Sequence, residues 1–230
     1  MKIILSPAKK LDFSTPANEK KGSELIFPDK TEKLIQKMKS LSSNQLGTLM
    51  KLSSELSSLN YRRYQLMGSK INESSPAADA FNGEVYSGLD FKSFSSAESE
   101  SAQEKIRILS GLYGVLKPNT VIEPYRLEMG TKLDVEESKN LYDFWGDDIL
   151  NFLQSEETET IINLASNEYS KAAKLKQFKG IVITPHFKEF KNGDFKVIMM
   201  YAKKARGAMA KWIIKNNIHY SEEIKNYTED

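Results

Sequence analysis

The stretch TIINLASNEY, Thr160 to Tyr169, decides the fold class, because an apolar strand in it runs directly into the start of a helix. Thr160 to Leu164 has the β-branched, apolar composition of a buried strand. Ser166 then stands where a helix cap is expected, with Glu168 and Tyr169 in the first helical turn. A strand that leads at once into a helix is typical of α/β proteins.

Other segments extend this alternation of strands and helices. Lys2 to Leu5, followed by Ser-Pro, predicts a short buried strand that opens the sheet. Leu141 to Leu153 has the apolar spacing of a helix, whereas Ile181 to Thr184 and Phe195 to Tyr201 favour strands. We therefore expect strands and helices to alternate in the C-terminal half.

The N-terminal half is expected to be mainly helical. From Asp29 to about Met67, apolar residues recur at three- and four-residue steps with two breaks, which predicts two or three amphipathic helices. The Ser- and Glu-rich stretch from Ser93 to Ser101 predicts a loop that caps a helix from about Ser101 to Leu109. No linker divides the chain, so residues 1–230 should form a single α/β domain, with α+β character as an alternative. Its simplest architecture is one mixed central sheet surrounded by helices.

The composition bounds the class of protein. No apolar run approaches the roughly 18 residues that cross a bilayer, and the run from Ile3 to Leu5 is too short for a signal peptide. We therefore expect a soluble, cytoplasmic protein with no membrane partner. The absence of cysteine excludes a disulfide framework, a thiolate metal site, an iron–sulfur cluster and a peroxidatic cysteine.

Positive charge is concentrated in one part of the chain. Between Lys171 and Lys215, eleven lysines and one arginine stand against Glu189 and Asp194, a local balance of +10. Because the whole chain has a formal charge of +2, the remaining residues carry −8. Such segregation favours a face for anions, above all nucleic acid, although solvated lysines explain it equally well.

The most basic segment is YAKKARGAMAKWIIK, Tyr201 to Lys215, which has helical spacing. Lys203 and Arg206 flank its apolar side, and Lys204 lies on a separate basic stripe. Cations and free backbone N–H groups in a first helical turn are suited to phosphate oxygens. The alternative is an amphipathic surface helix with solvated lysines, which explains Arg206 least well.

A second candidate is RILSGLYGVLKP, Arg107 to Pro118, which places two glycines three residues apart after an expected helix end. This arrangement is similar to the hairpin of a helix-hairpin-helix, in which backbone N–H groups approach a DNA phosphate. Gly111 and Gly114 are then candidate DNA contacts. A plain glycine turn is the alternative, and the segment lacks the Gly-Lys-Ser/Thr of a P-loop.

Acid/base candidates are few. In EPYRLEMG, Glu123 to Gly130, strand alternation would place Arg126 and Glu128 on one face, as an ion pair or as an anion clamp beside an acid. Glu168 is either a site residue or a partner for its helix dipole. The full set of acid/base candidates comprises Lys9, Lys10, Glu128 and Glu168. His186 and His219 lack the spacing of metal ligands, so neither a metal nor another cofactor is expected.

Seven blocks, in this order, resemble the motifs of the YaaA peroxide-stress family, also described as UPF0246. They are SPAKKLDF (6–13), FNGEVYSGL (81–89), RILSGLYGVLKP (107–118), PYRLEMG (124–130), LYDFWGD (141–147), NLASNEY (163–169) and YAKKARGAM (201–209). Together with the remainder of the last helix, the blocks cover the chain from near its start to about residue 216. Family members usually continue into an aromatic, glycine-containing tail, whereas this sequence ends at Asp230.

The resemblance implies a protein linked to peroxide resistance and to low intracellular iron, with DNA binding through a basic cleft and a helix-hairpin-helix-like element. The DNA contacts that it implies are Gly111, Gly114, Lys203, Lys204 and Arg206, with Lys9, Lys10 and Arg126 lining the cleft. The lack of cysteine agrees with an indirect effect on iron.

Three hypotheses of function follow. The first is a protein that binds double-stranded or structured DNA mainly through phosphates. The second is an enzyme that acts on a nucleobase or nucleotide-like ligand in the same cleft, in the manner of a glycosylase, with Glu128, Glu168 and Tyr169 as catalytic candidates. The third is a scaffold whose basic face meets an acidic protein partner.

Overall fold

The structure, a computed structural model, describes residues 1–17, 22–191 and 193–228. The strands of these residues are β1 (Lys2–Leu5), β2 (Ser75–Pro76), β3 (Ile106–Ser110), β4 (Gly114–Leu116), β5 (Val121–Ile122), β6 (Thr160–Asn163), β7 (Ile181–Ile183), β8 (Glu189–Lys191) and β9 (Asp194–Lys196). The α-helices are α1 (Pro28–Lys39), α2 (Ser43–Met50), α3 (Ser54–Leu66), α4 (Ala77–Ala80), α5 (Glu84–Leu89), α6 (Ser96–Lys105), α7 (Leu141–Trp145), α8 (Asp148–Ser155), α9 (Asn167–Ala172) and α10 (Met199–Lys215). Short 3₁₀ turns cover Phe91–Ser93, Leu175–Gln177 and Ser221–Asn226.

The first strand of the chain lies at the centre of a five-stranded sheet. The strand order is β4-β3-β1-β6-β7, and β1 runs parallel to both β3 and β6. Strands β6 and β7 are also parallel, whereas β4 is antiparallel to β3. Ile3, Ile4 and Leu5 are fully buried, as expected for a strand covered on both faces. This arrangement confirms the mixed α/β sheet surrounded by helices.

The predicted helical region in the N-terminal half is confirmed as α1, α2 and α3. Ser42 and Ser53 mark the two breaks, because each side chain accepts a hydrogen bond from the first turn of the helix that follows. The Ser42 backbone N–H in turn donates to Gln45 Oε1 at 2.8 Å, which completes a capping box. None of the helices in the described ranges is long and apolar enough to span a bilayer.

Three element predictions need correction. The helix expected over 101–109 is confirmed for 101–105 and wrong beyond, because α6 spans Ser96–Lys105 and Ile106 begins β3, which is buried between β1 and β4. The strand expected over 195–201 is wrong beyond Lys196, since α10 begins at Met199. The helix expected over 141–153 is interrupted at Gly146, whose φ of 52° ends α7 before α8 begins.

The helix-hairpin-helix interpretation of residues 107–118 is also wrong, since the segment forms a β-hairpin from β3 and β4. Gly114 adopts a φ of 70° in the turn and faces the Phe27 and Trp145 rings. Gly111 packs against the Leu127 backbone, so closely that a side chain there would overlap it. Both glycines are buried, so this turn presents no free backbone to a ligand.

Helix α10 is held against α5 by two glycines. A Cβ added at Gly88 would overlap the Lys204 carbonyl oxygen, and one at Gly207 would overlap the Val85 carbonyl oxygen. The helices therefore meet backbone to backbone, which requires residues without side chains at the crossing. This contact places the first two turns of α10, with their cations, beside the loop that precedes α5.

Candidate functional site

A cavity of about 780 Å³, called the basic cleft below, opens where several loops meet helix α10. Its lining consists of residues 6–10, 82–87 and 125–128, with Ser166, Glu168 and Tyr169 from the start of α9, and Met199, Lys203 and Arg206 from α10. Residues 6–10 follow β1, and Ser166 lies three residues beyond β6. The carboxyl ends of neighbouring parallel strands commonly form the ligand site of an α/β sheet, and the cleft lies there.

Hydrogen bonds join the loops that follow β1 and β6. The Ser166 backbone N–H donates to Ser6 Oγ at 2.8 Å, and the two hydroxyl oxygens are 3.3 Å apart. Tyr86 of α5 donates its hydroxyl to the Ser6 carbonyl at 2.9 Å. The Ser166 side chain makes no helix-capping hydrogen bond, so the predicted capping role is wrong, although α9 does begin at the next residue. Ser6 therefore links the loop after β1 to the start of α9 and to α5.

Two cations of the cleft share one acid. Lys9 Nζ lies 2.6 Å from Glu128 Oε2, and Arg126 Nη2 lies 3.3 Å from Glu128 Oε1. The contact predicted between Arg126 and Glu128 is confirmed, although the segment forms an irregular loop rather than a strand. Tyr64 fixes that loop by donating its hydroxyl to the Arg126 carbonyl at 2.8 Å. Arg126 Nε is buried without a hydrogen-bond partner among the described residues.

Two further cations have no partner in the described part of the chain. The side chains of Lys203 and Arg206 form neither an ion pair nor a hydrogen bond with any other described residue. Arg206 is half-buried, and burial lowers the pKa of its guanidinium. Since arginine stays protonated in proteins, this is a partly desolvated charge without a counter-charge. Such a group is stabilised by a bound anion.

The acid candidates also converge on the cleft. Glu168 Oε1 accepts a hydrogen bond of 2.7 Å from the backbone N–H of Gly130, which ties α9 to the loop that continues from residues 125–128. Tyr169 is buried, and desolvation raises the pKa of its phenol, with further contributions from Tyr125 and Glu168. Tyr169 therefore remains a neutral hydrogen-bond donor. Glu128 and Glu168 supply carboxylates in the same cavity.

The structure thus brings together eight of the eleven predicted site residues: Lys9, Lys10, Arg126, Glu128, Glu168, Tyr169, Lys203 and Arg206. Lys204 is exposed and lies outside the cleft lining. Gly111 and Gly114 are buried in the β3–β4 hairpin. These three residues are not part of the cleft.

Sequence reasoning missed the contribution of residues 82–87 and of Ser6. Asn82, Glu84 and Tyr86 line the cleft, and Asn82 N–H donates to the Lys10 carbonyl at 2.9 Å. The motif FNGEVYSGL contains these residues, but its spacing alone predicts no chemistry. The carboxyl ends of parallel strands meet at one edge of a sheet, so the pairing of β1 with β6 places Ser6 at the site. That pairing could not be predicted from the sequence.

Comparison with known proteins covers all of these segments. A family model described as Peroxide stress protein YaaA matches residues 1–230. A UPF0246 protein of Aliivibrio fischeri strain MJ11 is 46% identical over 236 aligned positions, which cover 100% of this chain and 91% of that protein. UPF0246 proteins of Idiomarina loihiensis and Pseudoalteromonas translucida are 46% and 44% identical, each covering 99% of this chain and 90% of the relative. The similarity therefore extends over every segment that lines the cleft.

Proposed function

The chain belongs to the peroxide stress protein YaaA family, and from that premise we propose that it is a cytoplasmic protein of the peroxide-stress response that binds DNA in the basic cleft. Its effect on intracellular iron and oxidative damage is indirect, because a chain without cysteine has no thiol to react with peroxide or to hold an iron–sulfur cluster. The DNA is double-stranded or structured, and recognition is mainly of its phosphates.

One observation carries this proposal: five cations from three distant segments line one cleft. Lys9 and Lys10 follow β1, Arg126 follows β5, and Lys203 and Arg206 belong to α10. Phosphate oxygens are the natural partners of such a group, and contacts to them position a nucleic acid without reading its sequence. Lys203 and Arg206 have no ion-pair partner within residues 1–17, 22–191 and 193–228, which strengthens the proposal, because cations that only hold the fold together are normally paired with acids.

The test is fluorescence anisotropy of labelled duplex, single-stranded and bulged DNA over a salt series from about 50 to 200 mM. We expect binding that weakens steeply with salt. In the double variant Lys203→Ala/Arg206→Ala, the slope of log K against log salt should fall by about two, since each phosphate contact contributes about 0.9.

The matched control is Lys211→Ala. Lys211 lies on the same helix, but it already pairs with Asp90 at 2.8 Å and does not line the cleft. Its loss should leave the salt slope unchanged. Absence of DNA binding by the wild-type protein at low salt would overturn the proposal, and so would equal effects of the control and the double variant.

A second candidate is an enzyme that acts on a nucleobase or nucleotide in the same cleft. The observation in its favour is that Glu128, Glu168 and Tyr169 line the cavity together with the five cations. A volume of about 780 Å³ lies within the range of small-molecule sites. A phosphate held by Arg126 would leave the attached base or sugar close to carboxylates that can move a proton.

This second candidate is tested with Glu128→Gln and Glu168→Gln. Wild-type protein is incubated with nucleotides and with labelled oligonucleotides, and released bases or new species are separated by chromatography. Turnover that is lost in both variants, with thermal unfolding unchanged, would support catalysis. A wild-type protein that converts none of these compounds, or variants that convert them equally well, would eliminate it.

A further inference from the structure

The segment from the β8–β9 hairpin to the first turn of α10 carries an unusual amount of exposed apolar surface. Six of the twelve exposed large apolar side chains of the described residues lie between 190 and 201: Phe190, Phe195, Val197, Met199, Met200 and Tyr201. The hairpin forms its own two-stranded sheet, separate from the central one. Apolar side chains concentrated in this way on a surface mark a site of interaction.

The two phenylalanines form a pair on one face of this hairpin. Phe190 and Phe195 are partners in the antiparallel register, and their ring centroids are 5.2 Å apart. The two residues are 67% and 62% exposed, so much of their surface remains available to a ligand. Glu189 and Lys196, the next pair in register, project to the opposite face, because side chains alternate along a strand. The hairpin thus has one aromatic face and one charged face.

The hairpin continues directly into the basic cleft. Strand β9 ends at Lys196, and α10 begins three residues later at Met199. Met199 is both an exposed apolar residue and part of the cleft lining, together with Lys203 and Arg206 of the same helix. The exposed apolar surface and the proposed phosphate contacts are therefore parts of one continuous stretch of chain.

The charge of this stretch favours nucleic acid as the ligand. Residues 188–206 contain six basic and two acidic residues, so any partner must be acidic or carry phosphates. An exposed aromatic ring beside a basic groove is the arrangement by which proteins stack on unpaired bases. Paired bases inside a duplex offer no free face for such stacking unless a step is opened.

We propose that Phe190 and Phe195 stack on unpaired bases of DNA whose phosphates lie in the basic cleft. The protein then binds DNA that contains a single-stranded or bulged segment more tightly than an intact duplex. This inference rests on the proposed DNA-binding function and adds to it the class of DNA and the residues that select it.

The test compares three labelled DNAs of equal length, a duplex, the same duplex with a bulge, and a single strand, by anisotropy at one salt concentration. The double variant Phe190→Ala/Phe195→Ala should bind the bulged and single-stranded DNA about tenfold more weakly, or worse, in line with the loss of base stacking. Its affinity for the intact duplex should stay within about twofold of the wild type, because the phosphate contacts are retained.

Two further variants separate stacking from other apolar contacts. Phe190→Leu/Phe195→Leu keeps apolar surface without a ring and should behave like the alanine variant, whereas Phe190→Trp/Phe195→Trp should retain the preference for unpaired bases. Ile71→Ala, at a residue 81% exposed and outside the cleft lining, is the control and should change nothing. Thermal unfolding should be the same for all of these proteins, since the substituted side chains are exposed.

The outcomes distinguish this inference from the proposed function. If wild-type protein binds all DNA with the expected salt dependence, but the phenylalanine variants keep its ratio of bulged to duplex affinity, only the inference is overturned. Sedimentation that shows a wild-type dimer and a monomeric Phe190→Ala/Phe195→Ala variant, with that ratio unchanged, would assign the hairpin to self-association and also overturn it. Absence of any wild-type DNA binding would overturn both.

Discussion

At the scale of single residues, two arginines show how pairing separates a structural charge from one that awaits a ligand. Arg107 is 2% exposed, and its Nε lies 2.8 Å and 3.0 Å from the two carboxylate oxygens of Glu156. Its Nη1 donates to the carbonyls of Gln103 and Ile106 at 3.0 Å and 2.7 Å. Arg206, by contrast, is half-buried without such partners among the described residues. Arg107 therefore stabilises the fold, whereas Arg206 is available to an anion.

Replacement of Arg107 by alanine should lower the free energy of unfolding by about 3–5 kcal/mol, because it leaves the largely buried Glu156 carboxylate with Lys2 as its one remaining ion-pair partner among the described residues. Urea unfolding followed by circular dichroism measures this loss. Lys33→Ala, which breaks the exposed pair of Lys33 with Glu136, should cost at most about 1 kcal/mol. Equal costs for the two variants would show that the buried pair contributes no more than a surface one.

At the scale of elements, the crossing of α5 and α10 sets the shape of the basic cleft. Gly88 and Gly207 allow the two helices to touch through their backbones, so α10 approaches the start of α5 and the residues just before it more closely than side chains would permit. Lys203 lies one turn before Gly207 on α10. A larger separation of the helices would move this cation and Arg206 away from the rest of the cleft.

Gly207→Ala should therefore destabilise the protein by about 1–3 kcal/mol, through overpacking against the Val85 carbonyl. The sign of this change in unfolding free energy is informative, because helix propensity alone would make Gly207→Ala stabilising by about 1 kcal/mol. Thermal and urea unfolding, together with DNA affinity, are the measurements. Ser87→Ala, at an exposed position next to Gly88, is the control for the unfolding measurements and should have little effect on stability. A more stable Gly207→Ala variant would contradict the close crossing.

At the scale of the whole molecule, buried tyrosines dominate the ionisable groups of the core. Tyr64, Tyr86, Tyr113, Tyr125 and Tyr169 are buried, and desolvation raises the pKa of each phenol above its usual value. Several also serve the cleft, since Tyr86 and Tyr169 line it and Tyr64 holds the Arg126 carbonyl. The fold therefore depends on several phenols remaining neutral.

These tyrosines predict a loss of stability at alkaline pH. Below the unfolded-state pKa of about 10 the phenols are neutral in both states, so they add no pH dependence there. Above it they ionise in the unfolded chain but stay protonated in the fold, and each lowers the free energy of unfolding by about 1.4 kcal/mol per pH unit. Urea unfolding at a series of pH values, with tyrosinate absorbance alongside, should show this decline.

The variant Tyr86→Phe removes one of these phenols. Above about pH 10 its free energy of unfolding should therefore fall less steeply with pH, by the contribution of one ionising group. The comparison concerns the slope against pH, because loss of the hydrogen bond to the Ser6 carbonyl also lowers stability at every pH. A slope that is the same in Tyr86→Phe and in the wild type would show that Tyr86 titrates equally in the folded and unfolded states.

Part of this structure could be predicted from the sequence. The strand of Ile3 to Leu5, the helices from Pro28 to Leu66 and the basic helix α10 have patterns that arise within a few neighbouring residues, and each was predicted correctly in kind. Eight of the eleven candidate residues line the basic cleft, in motifs that resemble those of a known family, and their role in binding or catalysis stays a prediction. Gly111 and Gly114 lie outside the cleft because they are buried in the β3–β4 hairpin, whereas Lys204 is exposed but does not line the cleft.

The sequence by itself determined the charge segregation, the lack of thiol chemistry and the helices and strands with a strong local period. Only the tertiary structure decided that residues 106–110 form a strand, since pairing with β1 across about a hundred residues outweighs local helix preference. It alone decided that Lys9, Arg126 and Arg206 meet in one cleft. The physical reason is that a local period follows from backbone geometry, whereas strand pairing, burial and the meeting of distant loops depend on how the whole core packs.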